Sequence, residues 1–133
     1  MNGVHIMVDC YQVSQGGPLM TSTELLLAQC RRAVDLAGLT AVAESAYHFG
    51  AGTDAASQSG ITAVILLAES HVTVHTWPER QQVTLDAYVC NFLGDNSGKA
   101  QLLISALIDL FKPENIDRQE IQRGRLSTGR SGL

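Results

Sequence analysis

The sequence predicts an α+β fold in which an antiparallel β-sheet carries two helices packed on one face. Segments with alternating or β-branched residues follow one another through short breaks, whereas only two segments repeat apolar residues at helical spacing. Strands joined by short turns favour antiparallel pairing, because parallel strands need long crossover connections. Two helices set apart from the strands are typical of a single helical layer on one sheet face.

Each predicted element rests on a local pattern. The predicted strands are 4–13, 39–49, 61–68, 72–77, 83–92 and 115–124, and the predicted helices are 24–38 and 97–111. Thr21 and Glu24 have the spacing of a capping box before the first helix, and Ser97 is in position to cap the second. The small, polar loop at 50–60 is expected to be mobile.

Length and composition indicate one domain, 1–133, in a reducing cytoplasm. The chain has 45% hydrophobic residues and a net charge of −4, and its longest apolar run, AVILLA, is too short for a membrane span. Its first residues lack the pattern of a secretory signal. Three cysteines without a CxxC pair disfavour a disulfide framework or a zinc finger. The acidic balance disfavours a nucleic-acid surface, and the tail at 124–133 is expected to be flexible.

The stretch LLAESHVTVHTWPER, 66–80, concentrates the candidate functional residues. His71 and His75 would lie about 13 Å apart on a strand, too far for one metal ion, so no metal site is predicted. A serine hydrolase is disfavoured because no G-x-S-x-G turn surrounds Ser70. From spacing alone, a plain turn followed by a half-buried strand histidine remains an alternative.

The same stretch resembles the prokaryotic S-adenosylmethionine decarboxylase family of pyruvoyl enzymes. In that family a Glu-Ser-His triplet follows an apolar strand, and a histidine and a cysteine stand five and twenty residues beyond the serine, as His75 and Cys90 do from Ser70. The HTWPE turn, the YHF segment at 47–49 and the RGR run at 123–125 extend the match. The resemblance implies a decarboxylase-like sandwich of sheet and helices, assembled as a homodimer.

The resemblance also implies a cofactor made from the chain itself. Self-cleavage between Glu69 and Ser70 would leave a β chain, 1–69, and an α chain, 70–133, whose first residue becomes a pyruvoyl group. This group would form a Schiff base with the substrate and replace pyridoxal phosphate. Neither Lys99 nor Lys112 stands in a setting typical of pyridoxal phosphate.

Further roles are carried over by position. The resemblance implies that Glu69 would supply the carbonyl that is attacked, Thr62 would orient the oxyanion, His75 would act as the processing base, and Cys90 would return a proton to the substrate. The predicted substrate-binding residues are Glu79, Phe49 and Val72. A buried structural cysteine and a solvated turn glutamate are the alternative interpretations of Cys90 and Glu79.

Substrate and assembly are predicted with alternatives. S-Adenosylmethionine, used for spermidine biosynthesis, is the first expectation. Arginine or ornithine is the alternative, because the loop at 50–59 lacks the aromatic ring that stacks on adenine in the family. A non-catalytic regulatory homologue is a third possibility. If the stretch is extended, Ser70 and His75 lie on opposite faces, roughly 16 Å apart, so His75 is expected to serve Ser70 of a second chain; a sharp turn at Ser70, which would pair them within one chain, is the alternative.

Overall fold

The computed structural model describes residues 2–54, 59–92 and 94–124. Its strands are β1 (Gly3–Tyr11), β2 (Ala41–His48), β3 (Ile61–Leu67), β4 (Ser70–Trp77), β5 (Gln82–Cys90) and β6 (Asn115–Arg123), and its helices are α1 (Thr23–Leu36) and α2 (Ser97–Phe111). The strands form one antiparallel sheet in the order β2-β3-β4-β5-β1-β6. The predicted α+β architecture is therefore confirmed.

Both helices pack on the same face of the sheet, as predicted, and α1 lies against β2 and β3 while α2 lies against β5 and β1. Alternate residues of the four central strands are buried there, because successive strand side chains point to opposite faces. The opposite face, which we call the open face, carries the half-buried side chains of His5, Thr62, Thr73, His75, Asp86 and Tyr88. The centre of this face is polar, and Nε2 of His5 lies at hydrogen-bond distance, 3.0 Å, from a carboxylate oxygen of Asp86 on it.

The helix caps differ from the prediction by one residue each. The N-cap of α1 is Ser22, whose hydroxyl accepts a hydrogen bond from the Leu25 amide, and not Thr21. Asn96 precedes α2, and Ser97 is the first helical residue. Such shifts are expected, because several neighbouring polar residues satisfy the cap pattern and only the backbone conformation selects among them.

The hairpin that precedes the fourth strand is tighter than the sequence indicated. Glu69, Ser70 and His71 were predicted to break the sheet between 68 and 72, whereas β4 begins at Ser70 and the turn contains only Ala68 and Glu69. Residues 55–58 of the predicted loop at 50–60, and residues 125–133 of the predicted tail at 124–133, lie outside the described residues. Within the described part of the chain, neither helix has the length and apolar character needed to cross a membrane.

Candidate active site

The turn between β3 and β4 contains the predicted cleavage point. Leu67 and Ser70 face each other across the two strands, and Glu69 adopts a left-handed conformation with φ of 57°. A side chain in that conformation costs roughly 1 kcal/mol or more, because the Cβ atom crowds the backbone. Glu69 is also exposed. The peptide bond from Glu69 to Ser70 therefore lies at an accessible turn under backbone strain.

Ser70 and Cys90 are brought together at the ends of two adjacent strands. The Ser70 hydroxyl accepts a hydrogen bond of 2.9 Å from the Cys90 amide. The Cys90 carbonyl in turn accepts one of 2.9 Å from the side-chain amide of Asn96, which precedes α2. These contacts tie the end of β5 to the start of the second helix and hold the serine oxygen in a defined direction.

A cavity of about 370 Å³ opens beside this pair. Its lining includes Ser70, Cys90, Phe92, Asn96 and Lys99. Lys99, for which no sequence pattern indicated a place at the site, lines the same cavity as the serine. Cys90 is 5% exposed, so its thiol is shielded from bulk water while its strand end borders the cavity.

Thr62 and His75 form a second cluster on the open face. They are register partners on β3 and β4, and the threonine hydroxyl lies 3.1 Å from Nδ1 of the histidine. The ring of Trp77 lies 5.9 Å from the imidazole. Thr76, between these two residues on β4, is buried. Its hydroxyl donates a hydrogen bond to the Met20 carbonyl and accepts one from the Ile61 amide. This anchored threonine fixes the strand that presents His75.

The two clusters do not meet within one chain. On β4 the side chains of Val72, Val74 and Thr76 are buried against the helices, so the odd-numbered His75 projects from the open face. Ser70 is separated from His75 by five strand residues, roughly 16 Å. The structure therefore agrees with the opposite-face placement expected for this pair.

Phe49 and Glu79 line one cavity of about 310 Å³, together with Ser59, Gly60, Thr76 and Trp77. Phe49 is 61% exposed and contacts Tyr47 edge to face at 5.1 Å. Trp77 belongs to the HTWPE motif, but nothing in its spacing predicted a role at the site. Val72 lies elsewhere: it is 1% exposed and packs in the core between sheet and helices.

A further cavity, of about 570 Å³, adjoins the cleavage turn on the open face. It is lined by Val42, Val64, Leu66, Leu67, Glu69, Ser70, His71, Tyr88 and Arg123. His71 and Arg123 both approach the ring of Tyr88, with the imidazole at 5.9 Å and the guanidinium carbon at 5.0 Å. Tyr88 and Arg123 had no signal in the sequence beyond a match of Arg123 to the RGR run.

The remaining two cysteines differ from Cys90 in their surroundings. Burial, with a smaller contribution from Asp9, raises the pKa of Cys10 to about 11. Burial also raises the pKa of Cys30 to about 12. Both thiols are protonated and unreactive at neutral pH, since the thiolate is the nucleophilic form. Across the described ranges, no three His, Cys, Asp or Glu side chains gather in a way that could hold a metal ion.

Comparison with known proteins identifies the family. A family model described as S-adenosylmethionine decarboxylase matches residues 4–124. The chain belongs to the S-adenosylmethionine decarboxylase family. The S-adenosylmethionine decarboxylase proenzyme of Aquifex aeolicus is 36% identical over 122 residues, which cover 92% of this chain and 81% of that one. The corresponding proenzyme of Archaeoglobus fulgidus is 34% identical, and the match covers 92% and 97% of the two chains.

A solved member of the family has the same fold. The crystal structure of the adenosylmethionine decarboxylase from Aquifex aeolicus matches with a TM-score of 0.78 at 32% identity, covering 95% of this chain and 93% of that one. The family membership and the decarboxylase-like sandwich predicted from the Glu-Ser-His stretch are thereby confirmed.

Proposed function

We propose that this chain is a self-processing, pyruvoyl-dependent S-adenosylmethionine decarboxylase that acts in the cytoplasm. The observation that carries the proposal is the position of the Ser70 hydroxyl. Ser70 begins β4 directly after Glu69, which has a left-handed conformation, and its hydroxyl accepts a hydrogen bond from the Cys90 amide. The relatives are named proenzymes, a term for a chain that must be processed before it acts. The three cysteines are free and buried, which fits a reducing compartment.

Self-cleavage converts one peptide bond into two new chain ends. The Ser70 oxygen attacks the Glu69 carbonyl carbon, and the amide becomes an ester with a free amino group on residue 70. Loss of the Ser70 α-proton then breaks the bond between Cβ and the ester oxygen, which leaves a carboxylate on Glu69 and a dehydroalanine. Addition of one water and release of one ammonia give the keto group. The strained turn favours this series of steps, because cutting the chain releases Glu69 from its left-handed conformation.

The surroundings of Ser70 fit a pyruvoyl group. The hydroxyl contacts a backbone amide and borders two open cavities, so a substrate can reach it. When formed, the group supplies an electron sink conjugated to the substrate α-carbon, the function that pyridoxal phosphate has in other decarboxylases. In this proposal the Cys90 thiol gives a proton to that carbon, and the shielded position of Cys90 excludes competing water.

We propose that the processing base comes from a second copy of the chain. His75 and its partner Thr62 face outward on the open face, away from the serine of their own chain. A two-fold axis parallel to this face and perpendicular to β4 would stack the open faces of two protomers and bring His75 of one towards the Ser70 end of β4 in its partner, because such an axis pairs opposite ends of the same surface. The polar, half-buried open face is suited to such an interface.

The cavity beside Trp77 supports S-adenosylmethionine as the substrate. Glu79 offers a carboxylate that can accept hydrogen bonds from ribose hydroxyls, while Phe49 and Trp77 offer aromatic faces for an adenine. Trp77 thus provides the ring that the loop at 50–59 lacks. Arginine and ornithine remain the alternative substrates, since a carboxylate also binds a guanidinium or an amine.

The mass of the denatured protein tests this proposal. We expect two fragments that divide between Glu69 and Ser70, the second lighter by one ammonia than a peptide that begins with serine. A chain that stays intact at 14.3 kDa after prolonged incubation would refute self-processing.

Cys90→Ser is expected to be cleaved but to lose most of its decarboxylase activity. Comparison of the three candidate substrates on the wild type then identifies the preferred one. Cleaved protein inactive on all three would point to the regulatory homologue.

A further inference from the structure

Arg123 projects from an edge strand towards the cleavage turn across an intervening strand. It lies on β6 opposite Gly3 of β1, and Gly3 in turn lies opposite Cys90 of β5. The guanidinium nevertheless reaches 5.0 Å from the ring centre of Tyr88, also on β5. The Arg123 side chain therefore extends across the width of β1, and the order of the strands sets its direction.

Gly3 leaves the path across β1 free. A Cβ atom at Gly3 would lie 3.2 Å from the Tyr88 ring and 2.5 Å from the Val89 carbonyl oxygen. Any side chain there would clash with this carbonyl oxygen and press on the edge of the ring that the guanidinium approaches. The glycine and the tyrosine together therefore guide Arg123 over the sheet, with cation–π attraction contributing to its placement.

The cavity that receives Arg123 also contains the scissile residues. Its lining combines Glu69, Ser70 and His71 with the aliphatic side chains of β2 and β3. Among the residues that the structure describes, Arg123 has no carboxylate within ion-pair distance. It is the one permanently charged cation in this lining. The exposed guanidinium of Arg123 thus borders a mostly apolar space beside the bond that is to be cut.

We propose that Arg123 binds the α-carboxylate that self-cleavage creates on Glu69. The inference rests on the proposed self-processing. Before cleavage the Glu69 carbonyl is neutral, and afterwards residue 69 carries two carboxylates, one of which contains the former Ser70 oxygen. A guanidinium can bind a carboxylate through two parallel hydrogen bonds. Arg123 thereby holds the new end of the first fragment beside β4 after the covalent link is lost.

The substrate carboxylate is a less suitable ligand for this arginine. That group must leave as carbon dioxide, so its charge disappears as the reaction proceeds. An ion pair with it would stabilise the bound substrate more than the transition state and would slow the reaction. The carboxylate on Glu69 persists through every turnover, and a permanent cation stabilises it without opposing catalysis.

Carboxypeptidase trimming of the processed protein tests the inference. The processed protein is treated with carboxypeptidase Y, and loss of Glu69 is measured by mass spectrometry of the N-terminal fragment alone. In the wild type this fragment should resist removal of Glu69. We expect Arg123→Gln to be trimmed at least about tenfold faster, as befits loss of a charge-assisted hydrogen-bonded pair. Arg123→Lys should fall between the two. Arg118→Gln is the matched control, because Arg118 lies on the same strand and binds Gln101 of α2.

A second readout separates binding of the new carboxylate from a general structural role. In a Ser70→Ala chain, which cannot be cut, adding Arg123→Gln should change the melting temperature by less than about a degree. In processed protein, Arg123→Gln should lower the melting temperature by several degrees. Equal effects in both backgrounds, or equal trimming of wild type and Arg123→Gln, would overturn the inference. An uncut wild-type chain would instead refute the proposed self-processing, and the inference with it.

Discussion

A mixture of two inactive variants tests whether each site draws on two chains. Ser70→Ala lacks the attacking hydroxyl but keeps His75, and His75→Ala has the reverse defect. Within one chain the two side chains lie on opposite faces of β4 and roughly 16 Å apart, whereas proton transfer needs approach to about 3 Å. Neither variant should therefore process itself at an appreciable rate, and each should be able to supply what the other lacks.

The expected yield follows from random pairing. Mixed at equal concentrations after denaturation and refolding, about half of the His75→Ala chains should be in mixed dimers. Each mixed dimer has one complete site, formed by Ser70 of one protomer and His75 of its partner, and one site that lacks both. We expect about half of the His75→Ala chains, and no Ser70→Ala chains, to appear as fragments by mass spectrometry.

The control is His71→Ala, a substitution on the same strand that leaves both proposed processing residues in place. It should be cleaved without addition of a second variant, because its own dimers would contain both residues. Absence of fragments from every mixture would refute the shared site, provided that refolded wild type is cleaved. Cleavage of the His75→Ala chain alone at the wild-type rate would refute the role of the histidine as processing base.

Three further predictions concern strain, packing and pH. Glu69→Gly should slow self-cleavage about fivefold, because relief of roughly 1 kcal/mol of strain stabilises the uncut chain; time-resolved mass spectrometry measures it, and an unchanged rate would contradict the strain argument. Thr76→Val should lower the free energy of unfolding in urea by about 2–4 kcal/mol through loss of two buried hydrogen bonds, against less than about 1 for the part-buried control Thr73→Val. Burial raises the pKa values of Cys10 and Cys30 from 9.0 to about 11 and 12, so folding favours the protonated thiols. The free energy of unfolding should therefore be insensitive to these groups below pH 9.0 and should fall as the pH rises through the pKa values of the folded state. Alanine variants at the two positions should show a smaller fall.

The strands and helices could be predicted because their burial is periodic. Val72, Val74 and Thr76 alternate with half-buried residues along β4, and this period of two is visible in the sequence. Element ends were less accurate, as at the caps of α1 and α2, because several polar residues in succession satisfy the same local pattern. The two-residue turn at Glu69 depends on the pairing of β3 with β4, which local propensity does not encode.

The sequence by itself identified the family and predicted the chemistry. The offsets from Ser70 to His75 and Cys90 are linear spacings, and they are legible without coordinates. Only the tertiary structure decided which groups meet. The bond from the Cys90 amide to Ser70, and the approach of Arg123 to Tyr88 across Gly3, join residues distant in sequence. Such contacts follow from strand order and register: β5 and β1 bury alternate residues against the helices, whereas β6 is exposed along its length and is held by its pairing with β1.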